Sequence, residues 1–582
     1  MKDFLKMFFA SLLAGGTFFL LTLIVLFSMG AEPEVIVPKN SVLTLNLNAQ
    51  IKERSNDNPL ASFNPLSMSS EKTLGLDQMI RAIEAAKTHD KIQGIRVQFG
   101  GFSGGFSSLK RLRDALIDFK ESGKFIYTYQ EVYSQRAYFI ASVADSVFVN
   151  PTGGLEWRGL GTQVTYYTKM LKKFGIEPQI IRGSNNQFKS AVEPFLTEEM
   201  SPANRLQLET LLGDIWSYTT DAVAQSRGLT AKDLMKYADE APMQEPEEAL
   251  EKGMIDVIAY EDEYTSALKS RLGVAEDRKI KTIGYSKFLK SLDDEEDSKN
   301  EIAIIYAEGD IVDGSGSGYQ VDSERFTNAI RKARKDKDIK AVVLRVNSPG
   351  GSAMASDVIW RELYLLKAEK PLIVSMGDLA ASGGYYISAP GDSVLAEPTT
   401  ITGSIGVFGM FFTAGELLED DLGLVYETVK TSEFADMPAI NRPLNEAERS
   451  FFQKNVDRTY GKFLSRVVNG RGLDSLYVDS IGQGRVWTGS RAVALGLVDA
   501  LGNLDDALAI AANKADIEDY QTIALPKFKD PVQQLIEDLT GSQIKRELKG
   551  TPLESTYKAF EKAQFLIGHP GIQMRMEYEL IW

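Results

Sequence analysis

The sequence predicts an α/β protein built from two tandem copies of one domain, preceded by a single N-terminal transmembrane helix. Three observations lead to this prediction: an internal repeat, alternating strand and helix patterns within each copy, and one long apolar segment near the N-terminus. The chain has 582 residues. That is more than one hydrophobic core usually holds, so at least two domains are expected.

The internal repeat appears when the chain is aligned with itself. Segment 145–152 (DSVFVNPT) recurs as segment 392–399 (DSVLAEPT). Further matches lie upstream and downstream at a nearly constant offset of about 245 positions, and together they cover roughly 160 residues or more. A whole domain has therefore been duplicated.

Each copy alternates strand and helix patterns. Residues 341–346 and 371–375 are apolar runs typical of buried strands, and the apolar residues between them have helical spacing. A mostly parallel sheet follows from this alternation.

One long helix is also predicted in each copy. In the first copy, Ser201 is a candidate N-cap and the helix should run to Gly228. In the second, the corresponding helix should begin near Asn445 and end at residues 469–470.

The N-terminal segment 7–29 carries no charge and is rich in Phe, Leu, Ile and Val. As a helix it would span roughly 34 Å, enough to cross a bilayer. Lys2 and Lys6 precede it and favour a cytoplasmic N-terminus, with the remainder on the far side of the membrane. A cleaved signal peptide is the alternative, but the apolar run is long for one and no small-x-small site follows.

These patterns give a provisional division of the chain. An acidic run at residues 293–297 marks a linker between the copies. The predicted segments are 1–31 (cytoplasmic tip and anchor), 32–74 (connecting segment), 75–285 (first copy), 286–300 (linker), 301–530 (second copy) and 531–582 (helical, peripheral tail).

Composition excludes several classes of function. The net charge of −15 argues against a nucleic-acid partner, which would need a basic face. The chain has no cysteine, so thiol nucleophiles, disulfides and cysteine-based metal sites are excluded. The acidic residues show no metal-ligand spacing, and we predict neither metal nor cofactor. The two histidines, His89 and His569, lie in contexts that do not suggest catalysis.

A candidate nucleophile lies in the second copy. Ser382 stands in a turn of small residues directly after a predicted strand and before an apolar helical segment. Backbone N–H groups at such a helix start can hold a developing oxyanion. In the first copy the aligned residue is Gln135, and Gly350 of another small-residue turn is replaced by Ser103. A turn required only for folding should have stayed small in both copies, so one copy has kept a site that the other has lost.

Residues 339–410 resemble the signal peptide peptidase A family, in its long tandem-duplicated form. The matching motifs are LRVNSPGGS from residue 344, SMGD with AASGGY from residue 375, and TGSIG from residue 402. The first copy supplies FKSAVEPF from residue 188, which is similar to the family's lysine motif. The resemblance extends from the anchor to about residue 530.

The resemblance implies a Ser-Lys serine endopeptidase of the ClpP/crotonase superfamily fold. Ser382 would be the nucleophile, Lys189 the general base, and Ser404 a residue that positions the lysine. The oxyanion hole would be formed by Gly383 together with Gly350 or Gly351. It further implies a homotetramer on the periplasmic side of the bacterial inner membrane that degrades remnant signal peptides and other hydrophobic peptides.

The chemistry of the residues agrees with this implication. A serine hydroxyl needs an adjacent base. Lysine serves as one only if its pKa falls from about 10.4 toward neutrality. Phe188, Ala191 and Val192 flank Lys189 and could desolvate it, whereas Glu193 would raise its pKa and is predicted to point away.

Two other functions stay open from the sequence alone. One is a catalytically idle membrane scaffold that binds peptides or organises other proteins, which peptide turnover would distinguish. The other is acyl-CoA chemistry on the same fold, which needs neither this Ser and Lys pair nor an anchor. Whether Ser382 and Lys189 meet within one chain or between chains is also open, although the linker permits contact within a chain.

Overall fold

The structure is a computed structural model. It describes residues 17, 35–55, 63–64, 69–70, 73–292, 298–316, 319–528 and 571–576. The predicted anchor at 7–29 apart from residue 17, the acidic run at 293–297 and most of the predicted tail lie outside these residues. No helix within the described ranges is long and apolar enough to cross a membrane.

Strands and helices alternate along both copies. In chain order the strands are β1 (Ser41–Leu47), β2 (Gln50–Lys52), β3 (Phe63–Asn64), β4 (Ser69–Ser70), β5 (Thr73–Gly75), β6 (Ile92–Phe99), β7 (Phe125–Tyr133), β8 (Ser146–Glu156), β9 (Glu177–Arg182), β10 (Met243–Gln244), β11 (Val257–Ile258), β12 (Lys281–Gly284), β13 (Glu301–Glu308), β14 (Ile311–Val312), β15 (Val321–Asp322), β16 (Ile339–Ser348), β17 (Gly350–Ser352), β18 (Leu372–Ala381), β19 (Ser393–Ala396), β20 (Ile401–Gly403), β21 (Phe408–Thr413), β22 (Val486–Thr488), β23 (Ala500–Leu501), β24 (Gln521–Leu525) and β25 (Gly571–Arg575).

The helices are α1 (Leu76–Thr88), α2 (Phe106–Lys120), α3 (Gln135–Ala141), α4 (Thr168–Lys173), α5 (Glu193–Leu196), α6 (Pro202–Arg227), α7 (Ala231–Glu240), α8 (Pro246–Glu251), α9 (Glu261–Leu272), α10 (Tyr285–Leu289), α11 (Ser323–Lys335), α12 (Ala353–Lys367), α13 (Gly383–Ser388), α14 (Glu446–Arg471), α15 (Ser475–Ile481), α16 (Gly489–Ala494) and α17 (Leu504–Lys514). A 3-10 turn lies at Ser190–Val192 and a π turn at Leu417–Asp421.

Each copy folds around its own mainly parallel sheet. The order in the first copy is β10-β8-β7-β6-β1-β12, with β11 beside β8. The order in the second is β22-β20-β18-β16-β13-β24, with β19 beside β18 and β23 beside β19. The predicted mixed α/β architecture and its duplication are thus confirmed.

The long helices begin and end close to where the sequence places them. Helix α6 has Ser201 as its N-cap, and Gly228 ends it in the left-handed conformation with φ 65°. Helix α14 starts after Asn445, whose side chain caps the amide of Glu448. It ends at Arg471, slightly beyond the predicted end.

Two predicted segments differ from the structure. The supposed connecting segment 32–74 contains β1, which lies between β6 and β12 in the first sheet, so the first copy begins earlier than residue 75. Alternate apolar residues of β1 are fully buried, which a strand within a sheet explains. In the predicted helical tail, the described residues 571–576 include the strand β25. Pairing with the edges of β17 and β21 stabilises this strand more than local helix propensity would stabilise a helix.

A third sheet joins the two copies. Its order is β15-β14-β17-β25-β21-β9. Strand β9 belongs to the first copy and runs antiparallel to β21 of the second, from Glu177 opposite Thr413 to Arg182 opposite Phe408. Because the predicted lysine motif begins only six residues after β9 ends, this pairing brings it next to the second copy.

A buried ion pair also links the N-terminal part of the chain to the second copy. Glu53 and Arg345 are almost completely buried, and two guanidinium nitrogens donate to the carboxylate at 2.9 and 3.1 Å. Arg345 also donates to Ser375 Oγ, and Asn347 donates to Glu53. A buried charge is tolerated only when it is paired and hydrogen-bonded in this way.

We expect Glu53→Ala to lower the free energy of unfolding by about 3–5 kcal/mol, because Arg345 would stay buried without its counter-charge. Urea unfolding followed by circular dichroism measures the change. The matched control is Glu198→Ala, which removes an exposed partner of Lys169 and should cost less than about 1 kcal/mol. Equal effects of the two substitutions would contradict the structural role of the buried pair.

Candidate active site

Ser382 occupies a strained turn at the end of a central strand. It follows β18 and is the N-cap residue of α13. Its φ of 56° lies in the left-handed region, which non-glycine residues seldom adopt, and its amide donates to the carbonyl of Gly403 at 2.8 Å. Such strain is retained where the surrounding structure imposes it, as at many functional sites.

Lys189 comes from the loop between β9 and α5, immediately before the 3-10 turn. The Phe188 amide donates to the carbonyl of Gln483 at 2.8 Å, which ties this loop to the second copy. Gly484 lies directly against the lysine: a Cβ added there would come within 2.5 Å of the Lys189 backbone and Cβ. Glycine is therefore required at position 484 for the lysine to reach its observed place.

The structure brings three of the predicted residues together within one chain. Lys189 Nζ lies 2.7 Å from Ser382 Oγ. The same amine lies 2.9 Å from Ser404 Oγ and 3.2 Å from the Ser404 carbonyl oxygen. All three side chains are at most 1 % exposed.

Burial lowers the pKa of Lys189 well below its ordinary value. Removal from water disfavours the charged ammonium, and within the described part of the chain no acidic side chain offsets this. Just after Lys189 in the chain, Ala191, Val192 and Phe195 form an apolar cluster with Phe408 and Met410 of the second copy.

Glu193 does not contact the lysine amine. Its carboxylate accepts hydrogen bonds from Ser201 Oγ at 2.6 Å and from Asn204 Nδ2 at 3.1 Å. These contacts anchor α5 to the start of α6. The carboxylate is thereby directed away from Lys189, as the sequence predicts.

Ser404 follows β20 in a second strained turn with φ 52°. Its amide donates to the carbonyl of Arg485 at 2.7 Å, which fixes the turn. A neutral amine has two hydrogens and one lone pair. With both hydrogens directed at the two oxygens of Ser404, the lone pair can face the hydroxyl of Ser382.

The glycines of the predicted oxyanion hole lie beside the serine. Gly383 begins α13, and Gly350 and Gly351 form the start of β17 with φ of 95° and 153°. A Cβ on Gly350 would come within 2.5 Å of the Gly383 amide nitrogen. The Gly350 amide donates to Ser348 Oγ at 3.2 Å, and Gly351 is paired in the third sheet with Ile311 and Met574.

The first copy fills the equivalent place with a side chain. Gln135 starts α3, the counterpart of α13, and is buried. Its carbonyl oxygen accepts from the amides of Arg158 and Gly159, and its amide nitrogen donates to the Gly159 carbonyl. The degenerate turn has thus become a structural anchor for the loop after β8.

Sequence reasoning missed two residues that hold the lysine loop. Gly484 is one, and the cluster Gly482-Gln483-Gly484 was a signal for a close backbone approach. The other is Gln207 on α6, which donates to Ser190 Oγ at 3.0 Å and accepts from the Val486 amide at 3.0 Å. Its contacts lie far apart in the chain, so no local pattern shows them.

A buried hydroxyl beside an amine of lowered pKa is an arrangement in which a base can activate a nucleophile without histidine, as serine hydrolases require. Within the described residues, no group of three or more His, Asp or Glu side chains could hold a metal ion.

Comparison with known proteins identifies the class more narrowly. The model of peptidase family S49 matches residues 118–275 and 364–518, one match in each copy. The chain is 34 % identical over 560 residues to the chloroplastic serine protease SPPA of Arabidopsis thaliana, covering 94 % of this chain and 79 % of that protein. It is 32 % identical over 584 residues to Protease 4 of Haemophilus influenzae, covering 97 % and 92 %.

A shorter relative matches about half of the chain. The putative signal peptide peptidase SppA of Enterococcus faecium is 32 % identical over 275 residues, which is 46 % of this chain and 79 % of that protein. The chain belongs to peptidase family S49. It is a serine protease.

The lowered pKa of Lys189 predicts a pH-dependent stability. At pH values between this lowered pKa and about 10.4, the Lys189 amine carries a proton in the unfolded state but not in the folded state. Burial of the amine therefore lowers the free energy of unfolding less and less as pH rises, by up to about 1.4 kcal/mol per pH unit. Lys189→Met removes the titrating group. The stability of this variant relative to the unsubstituted chain should therefore be highest at low pH and fall through that window.

Urea unfolding at several pH values between about 7 and 10 measures this difference. Lys173→Met removes an exposed lysine of the same copy and serves as the control. Its difference should stay flat across the series. A flat difference for Lys189→Met would mean that this amine titrates normally.

Proposed function

We propose that this serine protease cleaves peptide bonds with a Ser-Lys dyad, Ser382 as nucleophile and Lys189 as general base. The observation that carries the proposal is the 2.7 Å separation of Lys189 Nζ and Ser382 Oγ inside a buried site. The lowered pKa of the lysine supplies the neutral amine that a base must be.

In the first step, the Ser382 hydroxyl attacks the carbonyl carbon of the substrate while its proton passes to Lys189 Nζ. The resulting ammonium then donates that proton to the departing amine, leaving an acyl-enzyme. A water molecule next attacks the acyl carbon and gives its proton to Lys189. Ser382 recovers the proton when the carboxylic acid product leaves.

Ser404 and the glycines would assist these steps. Ser404 holds the amine through two oxygens and so directs its lone pair at Ser382. The backbone N–H groups of Gly383 and Gly351, with Gly350 as the alternative to Gly351, would bind the negative oxygen of the tetrahedral intermediate. Preorganised donors of this kind are worth several kcal/mol in the transition state.

The two parallel sheets joined by a shared third sheet support the ClpP/crotonase superfamily fold that the sequence resemblance implies. Hydrophobic peptides, including remnant signal peptides, are the proposed substrates. The name of the Enterococcus relative, a putative signal peptide peptidase, supports this choice. So does the apolar cluster that follows Lys189 in the chain, with Ala191, Val192 and Phe195.

The uncharged segment 7–29 supports a membrane anchor, with the catalytic copies on the periplasmic side of the bacterial inner membrane. We further propose a homotetramer. Exposed apolar residues between α13 and α14 support a contact surface there, since large apolar side chains are seldom left in water without a partner. They include Val425, Val429 and Ile440.

Two substitutions test the dyad. Ser382→Ala and Lys189→Arg should each lower kcat/KM for a fluorogenic peptide by at least roughly 10³-fold, because the first removes the nucleophile and a guanidinium cannot accept its proton. Lys173→Arg is the matched control and should stay fully active. An active Lys189→Arg enzyme would rule out lysine as the base.

For the unsubstituted chain, kcat/KM should rise with pH through an apparent pKa well below 10.4, as the neutral fraction of Lys189 increases.

Co-expression of Ser382→Ala with Lys189→Ala chains tests whether one chain builds the whole site. Because both residues meet within a chain, every site in a mixed oligomer would lack one of them. Activity should remain at the level of each mutant alone. Recovery of a sizeable fraction of normal turnover would show that sites form between chains.

A further inference from the structure

A row of lysines lies where the parallel strands of the first copy begin. Lys124 and Lys91 directly precede β7 and β6, Lys39 stands two residues before β1, and Lys281 is the first residue of β12. The order β7-β6-β1-β12 makes these strands neighbours. Parallel strands begin at the same edge of a sheet, so these four residues, the lysine row, extend along one edge for about 14 Å.

The acidic residues on the loops at this edge do not neutralise the lysine row. Three of them pair instead with lysines outside it: Glu121 with Lys87, Asp145 with Lys120, and Glu276 with Lys269. The other two acidic residues on these loops are Asp90 and Asp277. Within the described part of the chain, no acidic side chain forms an ion pair with the row. This edge is therefore basic in a chain whose net charge is −15.

An open cavity of about 340 Å³ lies beside Lys124 at the same edge. Phe125 and Tyr127 contribute its aromatic lining, and Arg271 contributes a further positive charge. The Arg271 guanidinium lies 5.6 Å from the centre of the Phe125 ring. None of the described acidic side chains pairs with it. A cavity with two such cations and aromatic walls suits an anion that has an apolar part next to its charge.

The second copy keeps one ion pair of this edge and lacks its other features. Lys367 pairs with Asp392 at 3.3 Å, as Lys120 does with Asp145 at 3.0 Å. Of the lysine row only Lys39 has a counterpart, Lys299. The aligned places of the other three hold Pro371, Asp338 and Gln521, and buried Leu372 and Val374 stand for Phe125 and Tyr127. The duplicated fold thus forms without the row and the cavity, so both point to a role of the first copy alone.

The first copy is also the one that the proposed anchor joins. Asn40, directly before β1, donates to the Leu272 carbonyl at 3.0 Å, so the incoming chain lies next to Arg271. Residues 30–34 separate the uncharged segment 7–29 from Val35, and a chain of that length reaches at most about 20 Å. The basic edge is therefore held near any membrane that contains segment 7–29.

We propose that the lysine row and its cavity bind the anionic phospholipid headgroups of the membrane. A headgroup phosphate lies against Lys124 and Arg271, and the adjoining glycerol carbons lie against Phe125 and Tyr127. The first copy is then held against the bilayer by this surface as well as by the anchor. Each basic residue near an anionic bilayer favours the bound state about five-fold. The inference rests on the proposed function, because it takes segment 7–29 as the anchor.

A fluorescent label at this edge tests the proposal with the full chain inserted in vesicles. The chain has no cysteine, so Ser122→Cys, two residues before Lys124, accepts a single fluorophore. The vesicles consist of phosphatidylcholine, with or without about 30 % phosphatidylglycerol, and contain lipids with a quenching nitroxide on the headgroup. We expect stronger quenching in the anionic vesicles, and its loss in about 0.5 M salt, which screens the charges.

The variant that tests the surface is Lys124→Gln with Arg271→Gln. Loss of two charges should weaken the bound state about 25-fold, so most of the added quenching should disappear while cleavage of a soluble peptide continues. Lys172→Gln with Lys173→Gln removes the same charge from α4 and should leave the quenching unchanged. A label at Glu369→Cys, the aligned position of the second copy, should show no dependence on phosphatidylglycerol.

Equal quenching in both kinds of vesicle, in a chain that an alkaline wash leaves in the membrane, would overturn the proposal while the anchor stands. Binding of inorganic phosphate by calorimetry, without lipid-dependent quenching, would also overturn it, since the cavity would then serve a free anion. Release of the chain from phosphatidylcholine vesicles by the wash would instead refute the anchor. Flotation with phosphatidylglycerol vesicles then decides: binding that Lys124→Gln with Arg271→Gln abolishes supports the surface, and binding unaffected by them overturns it.

Discussion

The arrangement of the whole chain depends on keeping one lysine amine out of water. An exposed Lys189 would be an ammonium ion at neutral pH and could not act as the proposed base for Ser382. Its burial requires apolar cover from both copies, a glycine at position 484 that lets the loop approach, and the β9–β21 pairing that carries the loop across. Among the described residues no acidic side chain offsets the desolvation of this amine, so packing elsewhere in the fold compensates for the free energy of burying it.

Duplication explains how such a site arises in one chain. Each copy provides a sheet and the helices that cover it, and each has kept a different part of the site. The second copy has the strained serine turn, whereas the aligned residue of the first copy is Gln135, which binds the loop at Gly159. The first copy instead provides the lysine loop. Neither copy alone contains both residues of the proposed dyad.

Much of this could be predicted from the sequence. The repeat, the α/β alternation and the ends of α6 follow from local patterns: apolar runs, the cap at Ser201 and the glycine at 228. Ser382 and Lys189 followed from motif resemblance, supported by the absence of cysteine and the lack of a suitable histidine. Contacts between distant segments were not predictable, since Gln207, Gly484 and β25 act through partners far away in the chain. Local propensity favours a helix at β25 in particular, and the segment is a strand because it pairs with the edges of β17 and β21.

The central claim, that Lys189 is a neutral amine in the folded protein, is tested most directly by NMR. Lysine labelled with ¹³C at the ε carbon reports the charge of each amine through its chemical shift. The Lys189→Arg chain assigns the signal by its disappearance. We expect the Lys189 signal to titrate well below the pH at which free lysine does, about 10.4. A Lys189 signal that titrates at that ordinary value would contradict the account.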